Sequence, residues 1–206
     1  MGMIKVLIAD DHSIVRMGLV SLLGTAKNIE IVGEAVDGVD AVRKTLKLKP
    51  DVLVMDLVMP RKDGVAATEE IHSAAPGVKI LILTTFGTSD DIARALKAGA
   101  TGAIMKSATN RELLSAIQTV AAGQKLLSAD VEGLMKNDPP IPDLSPRQRD
   151  ILESITRGLT NKEIAVQFDI SLESVKSHVK VILGKLDAAS RTEAAAIAQR
   201  KKLLKG

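Results

Sequence analysis

Five residues of chemical interest stand at the ends of short apolar runs. Asp10 and Asp11 follow Ile4–Ala9, Asp56 follows Val52–Met55, Thr84 follows Lys79–Leu83, and Lys106 follows Gly102–Met105. Neighbouring carboxylates repel one another and call for a cation, and an all-oxygen set that keeps positions open for phosphate and water suits Mg²⁺. Asp56, held by backbone at the end of a strand, is placed to act as a nucleophile. The hydroxyl of Thr84 and the ammonium of Lys106 are groups that bind phosphoryl oxygens. An acid at a strand end also serves as a helix cap or a solubilising charge, and a lone lysine there is common. The chemical reading rests on all five sharing the carboxyl ends of such runs, where functional groups of a parallel sheet gather.

A second set lies near the C-terminus. In residues 172–186, Val175, Val179, Ile182 and Leu186 recur at helical spacing and form a core stripe. Lys176, Ser177 and Lys180 lie off that stripe near the helix start, where a helix in the major groove of DNA presents side chains to base edges. Asn161 and Lys162, opening the preceding helix, stand where phosphates are bound. Two lysines one turn apart also occur on ordinary solvated faces. His178, alone beside an apolar stripe, reads as a packing residue, and Arg200, Lys201, Lys202 and Lys205 read as a solvated helix end.

The elements that must position these groups follow from periodicity. Apolar runs at Ile4–Ala9, Ile29–Gly33, Val52–Met55, Lys79–Leu83 and Gly102–Met105 alternate with amphipathic stretches carrying start signals, such as Ser89 before two acids and a capping box from Thr109 to Glu112. That pattern predicts a (βα)5 doubly wound parallel sheet with helices on both faces. The stretch from Leu127 to Asp143 contains Pro139, Pro140 and Pro142, lacks a strand pattern, and reads as a linker. Beyond it, Ser145 with Pro146 and Gln148 opens a helix that Gly158 stops. Thr160 with Glu163 opens a second, Ser171 caps a third, and the Ala-rich segment from Arg191 to Leu204 forms a fourth. The expected domains are 1–123, a linker at 124–143, and a small all-α unit at 144–206.

Composition agrees with that division. The 206 residues are 46% hydrophobic and 26% charged, as expected for globular cores. The net charge of +3 is uneven: residues 144–206 hold 12 Lys and Arg against 7 Asp and Glu, and residues 1–143 hold 16 against 18. A basic C-terminal module points to nucleic acid. With two Phe and no Tyr or Trp, base stacking on single strands has little support, so duplex DNA is favoured. The absence of cysteine excludes disulfides, thiolate zinc sites and cysteine nucleophiles. No apolar run approaches the roughly 20 residues of a membrane span, and the first residues enter a strand rather than a signal peptide. A cytoplasmic protein without membrane association is expected.

The residues at the strand ends, with Met59 and Pro60 and with Asp63 and Gly64, resemble the bacterial receiver domain of flavodoxin-like fold over residues 3–123. The segment from Leu144, with Gly158 to Ala165 and Val175 to Lys180, resembles the LuxR-type helix-turn-helix. Together they resemble the NarL/FixJ family of two-component response regulators. The resemblance implies that Asp56 is the phosphoacceptor for a histidine kinase or an acyl phosphate. It implies Mg²⁺ held by Asp10, Asp11, Asp56 and the backbone carbonyl of Val58, with Thr84 and Lys106 on the phosphoryl group. It also implies that Lys176, Ser177 and Lys180 face bases, while Asn161, Lys162, Ser174 and Lys185 touch phosphates of promoter DNA. A homodimer on activation follows from the family, and RNA polymerase stays open as a further partner. Beyond forming and slowly hydrolysing its own acyl phosphate, no enzymatic activity is expected. The chain departs from the pattern at Ala103, where relatives carry an aromatic switch residue. That change predicts weak coupling of phosphorylation to DNA binding and leaves open a phosphorylation-independent regulator. A phosphotransfer or hydrolytic enzyme is the alternative from another class, and it lacks a substrate domain.

Overall fold

The computed structural model describes residues 2–85, 89–201, 203 and 204. The chain divides into two units, residues 1–140 and 141–206.

In the first unit the apolar runs form β1 (Ile4–Ala9), β2 (Ile29–Ala35), β3 (Val52–Met55), β4 (Lys79–Thr84) and β5 (Gly102–Met105). Between them lie α1 (Ser13–Leu23), α2 (Gly38–Leu48), α3 (Gly64–Ala74) and α4 (Ser89–Lys97), and α5 (Asn110–Ala121) follows β5. All strands pair in parallel in the order β2-β1-β3-β4-β5, as a doubly wound sheet requires. Both faces are covered, which is why the strands read as continuous apolar runs. The two-residue side-chain alternation still sorts them. Val6, Ile8, Val54, Leu81 and Leu83 pack with Leu113, Ile117 and Val120 of α5, whereas Leu7, Leu53, Ile80 and Ile82 pack with Ile71 of α3 and Ile92 of α4.

Two expectations need correction. The sheet has a sixth strand, β6 (Leu126–Leu127), paired in parallel with Gly102 and Ala103 of β5. The expected linker at 124–143 then continues into a helix, α6 (Ala129–Asn137), capped by Ser128. Val131 of α6 is fully buried in the same core as Ala103, and Leu134 and Met135 pack against it. These three apolar residues stand at i, i+3 and i+4, one helical face, and burying that face on the sheet explains why the segment is ordered. The prolines that marked the linker lie only after α6. Helix α4 is described from Ser89, where its start signal stands; this serine is buried and donates to the Asp138 carboxylate at 3.1 Å.

The second unit holds α7 (Pro146–Thr156), α8 (Asn161–Phe168), α9 (Leu172–Leu186) and α10 (Arg191–Arg200). Its starts match their sequence signals. Ser145 with Gln148 and Thr160 with Glu163 form reciprocal capping boxes, and Ser171 caps α9. Gly158, at φ +83°, takes the left-handed conformation that ends α7. The core joins Ile151, Leu152 and Ile155 to Ile164, to the α9 stripe Val175, Val179, Ile182 and Leu186, and to Ala194 and Ala198.

Candidate functional site

The carboxyl edge of the sheet assembles the acidic pocket because ladder hydrogen bonds continue one residue past each strand. Asp10 N donates to Ala35 O at 3.2 Å, Asp56 N to Ala9 O at 2.9 Å, and Lys106 N to Thr84 O at 2.7 Å. Asp10 and Asp56 are thereby buried, at 1% and 5% exposure, while Asp11 stays exposed. Lys106 crosses between them, its Nζ 2.6 Å from Asp10 Oδ2 and 2.7 Å from Asp56 Oδ2. Thr84 is buried as the last residue of β4, beside Met105 in register. Val58 is exposed on the loop after Asp56, and its N–H approaches Asp56 Oδ1 at 3.4 Å.

The electrostatics follow from burial. Desolvation raises the Asp56 carboxyl above its ordinary value; Lys106 opposes that by hydrogen bond and charge, and the Asp10 charge adds to it. For Lys106, burial acts to lower the pKa, but the two carboxylates prevail and raise it.

A small cation fits this set. Asp10, Asp11, His12 and Asp56 each offer one ligand atom, all within 4.8 Å of one another. Asp10 Oδ2 is buried against the Lys106 ammonium at 2.6 Å, and a divalent cation in the set would share this oxygen with the ammonium. Carboxylate-rich sets of this kind suit hard divalent ions.

Two neighbours were not singled out from sequence. His12 donates its backbone N–H to Asp10 Oδ1 at 2.9 Å and brings Nδ1 to 2.8 Å from Asp11 Oδ1. Arg16, one turn into α1, donates to the Asp10 carbonyl at 2.8 Å and lies 3.4 Å from Glu34. Spacing from the acidic pair was the signal for both. Gly64 is a third support. A Cβ there would press into the Asp56 carbonyl oxygen and lie 2.8 Å from the Leu57 Cα, so the residue's smallness lets α3 close against the Asp56 loop.

Ala103 is fully buried at mid-β5, bonded through its carbonyl to Ser128 N at 3.1 Å. No ring occupies this position.

On the second unit, Lys176, Ser177 and Lys180 are all exposed on α9, opposite its buried stripe. Lys176 Nζ pairs with Glu173 at 2.7 Å. Lys162 and Ser174 are exposed, and Ser174 Oγ lies 2.8 Å from Ser171 Oγ. Asn161 is half-buried and accepts from Arg191. Lys185 is engaged inside the unit, donating to the Asp143 carbonyl at 2.5 Å and to Gln148 Oε1 at 3.0 Å. At the end of α10, Arg200 is exposed as expected, but Lys201 is 7% exposed, a correction to its reading as a solvated residue. Its N–H continues the helical ladder to the Ile197 carbonyl, and its place seven and three residues after the buried Ala194 and Ala198 puts it on the inward face. Lys202 and Lys205 lie outside the described residues.

Comparison with known proteins agrees with both halves of this geometry. A family model for the response regulator receiver domain matches residues 6–118, and one for bacterial regulatory proteins of the luxR family matches residues 142–198. The chain belongs to the two-component response regulators with a LuxR-type DNA-binding domain. This response regulator is 39% identical to the transcriptional regulatory protein LiaR of Bacillus subtilis, covering 98% of this chain and 100% of the relative. It is 38% identical to the response regulator protein VraR of Staphylococcus aureus, covering 93% and 94%. Among solved structures it resembles the response regulator ChrA of a heme-sensing two-component system, at 36% identity and TM-score 0.59, covering 99% and 100%. It also resembles RcsB in complex with DNA, at 25% identity and TM-score 0.71, covering 96% and 98%. Among the described residues of the regulator, no helix is long and apolar enough to cross a membrane.

Proposed function

We propose that the regulator accepts a phosphoryl group on Asp56 from a histidine kinase or a small acyl phosphate, and that the acyl phosphate controls binding of paired helix-turn-helix units to promoter DNA. The observation that carries this reading is the Lys106 ammonium placed between the Asp10 and Asp56 carboxylates. An Asp56 oxygen attacks phosphorus in line, and the donor's imidazole or carboxylate departs. Lys106 exchanges its Asp56 partner for a phosphoryl oxygen, and Thr84 hydrogen-bonds another. Mg²⁺, when bound, neutralises charge on the transferring oxygens. Asp10, Asp11 and Asp56 with the Val58 carbonyl would hold it. The chemistry is confined to forming and hydrolysing the regulator's own acyl phosphate. Lys176, Ser177 and Lys180 read bases, Lys162, Asn161, Ser174 and Lys185 contact phosphates, and dimerisation sets two half-sites.

Selection of duplexes from a random pool, with Mg²⁺ and with or without acetyl phosphate, tests the reading on wild type and Asp56→Asn. Selection of a two-half-site sequence more strongly by phosphorylated wild type than by Asp56→Asn supports the reading, with a modest margin expected from the weak coupling that Ala103 predicts. A second reading, a regulator independent of phosphorylation, is favoured by the buried Ala103, and equal binding by both proteins under all conditions would establish it.

Gly64→Ala gives a separate check. The added methyl must displace the Asp56 loop, and a displacement of about 1 Å costs on the order of 100-fold in rate. Phosphate incorporation followed by mass spectrometry is expected to slow by that order. A wild-type rate would show that α3 yields instead.

A further inference from the structure

The groups assigned to DNA account for the outer face of the second unit but leave unexplained a half-buried cation behind it. Arg191, the first residue of α10, does not face solvent fully; it reaches across to α8 and makes two donations with one guanidinium. Nη1 donates to Asn161 Oδ1 at 2.5 Å, and Nη2 donates to the Leu159 carbonyl at 2.5 Å. Burial lowers the Arg191 pKa, yet a guanidinium stays charged at any physiological pH. Both acceptors flank Thr160, the N-cap of α8.

We infer that Arg191 is a positioning residue for DNA binding, which fixes the side-chain amide of Asn161 so that its NH2 group faces a DNA phosphate. This rests on the phosphate-contact role of Asn161 proposed above. An Asn amide carries one acceptor and one donor end, and either can point outward. A guanidinium donates only, so the end held by Arg191 must be the oxygen. The NH2 end is then turned away from Arg191 with both hydrogens available. It stands at the first position of α8, where the helix dipole also favours an anion. Without the arginine, the amide is free to rotate and present its oxygen, which repels phosphate. The forked geometry matters as much as the charge: the Leu159 contact anchors the guanidinium, and the second arm then has one orientation. Lysine keeps the charge but is a single rotating point donor.

The test is a double-mutant cycle on the full chain, using a mixed-sequence duplex, because phosphate contacts act alike on all sequences. Asn161→Ala is expected to weaken binding about tenfold, the scale of one hydrogen bond to a charged group. Arg191→Lys is expected to weaken it severalfold with an unchanged salt slope, since the charge is kept. The double variant should bind no worse than Asn161→Ala alone. Asn161→Asp separates positioning from folding. Its carboxylate keeps the Arg191 pair, so the thermal midpoint should hold or rise, yet it has no N–H to donate and binding should fall more than for Ala. Losses that simply multiply in the cycle would overturn the inference and leave Arg191 a structural residue. Wild-type binding by both Asn161 variants would overturn it too, and would remove Asn161 from the DNA interface.

Discussion

Lys106→Ala is expected to lower the thermal midpoint of the receiver unit sharply in the presence of a chelator, and Mg²⁺ is expected to restore much of the loss. The Lys106 side chain is 9% exposed and lies within 2.7 Å of both Asp10 and Asp56, themselves at 2% and 6% for their side chains. Removing one partner of a buried ion pair leaves an uncompensated charge and costs about 3–5 kcal/mol. Here two carboxylates would be left facing each other. The pH dependence has a definite sign. The folded pKa of Asp56 is raised, so its favourable contribution is complete below its ordinary value of 3.8 and is lost as pH rises through the folded value. Without Lys106, a partner that lowers it is gone and the folded value rises further. The gap between variant and wild type should therefore narrow as pH falls. The raised Lys106 pKa adds stability that persists at neutral pH and is lost only as pH rises through its folded value above 10.5, so it does not blur the comparison. Calorimetry at several pH values, with and without Mg²⁺, checks this. A Lys106→Ala midpoint equal to wild type in chelator would show that the acids do not depend on the ammonium.

Replacing Lys176 and Lys180 together with Ala should reduce affinity for the selected duplex by about 100-fold or more, since specific base contacts are worth roughly 1–3 kcal/mol each. Both side chains are exposed and lie opposite the buried stripe of α9, so folding should be preserved. Two phenomena distinguish readers from general basic residues. Base readers lost together relax the preference among sequences, whereas phosphate contacts weaken all sequences alike and flatten the salt dependence. Glu173, paired with Lys176 at 2.7 Å, adds a control. Its carboxylate must release Lys176 on binding, so Glu173→Ala should not weaken the complex. Selection from a random pool by the double lysine variant, compared with wild type, provides the measurement. Unchanged affinity and preference would move the reading surface away from α9.

Lys185 shows what residue type leaves out. The family resemblance implied a phosphate contact for it, and its ammonium also donates to the Asp143 carbonyl and to Gln148 within the unit. The capping box made Gln148 legible as a helix start; nothing in the spacing revealed that the same side chain also accepts from α9, 37 residues away. Arg191 was likewise read only as part of an Ala-rich helix. Its two acceptors lie 30 and 32 residues earlier in the chain. Local patterns carry helix starts and core stripes, because those depend on neighbours within a turn or two. Contacts between helices distant in sequence leave no such trace.

The sequence by itself determined the strand and helix order of the receiver through β5, the four capped helices of the second unit, and the gathering of Asp10, Asp11, Asp56, Thr84 and Lys106 at one sheet edge. Parallel pairing of buried runs dictates that edge, since every strand ends on the same side. Tertiary structure alone decided three matters. It put a sixth strand and α6 where prolines suggested a linker, because Val131, Leu134 and Met135 have an apolar face to bury on the sheet. It set Lys106 between two acids within hydrogen-bonding distance, which fixes how their charges are balanced. And it turned Lys185 and Arg191 inward, because a small helical unit draws on long basic side chains to satisfy carbonyls and amides at its helix ends.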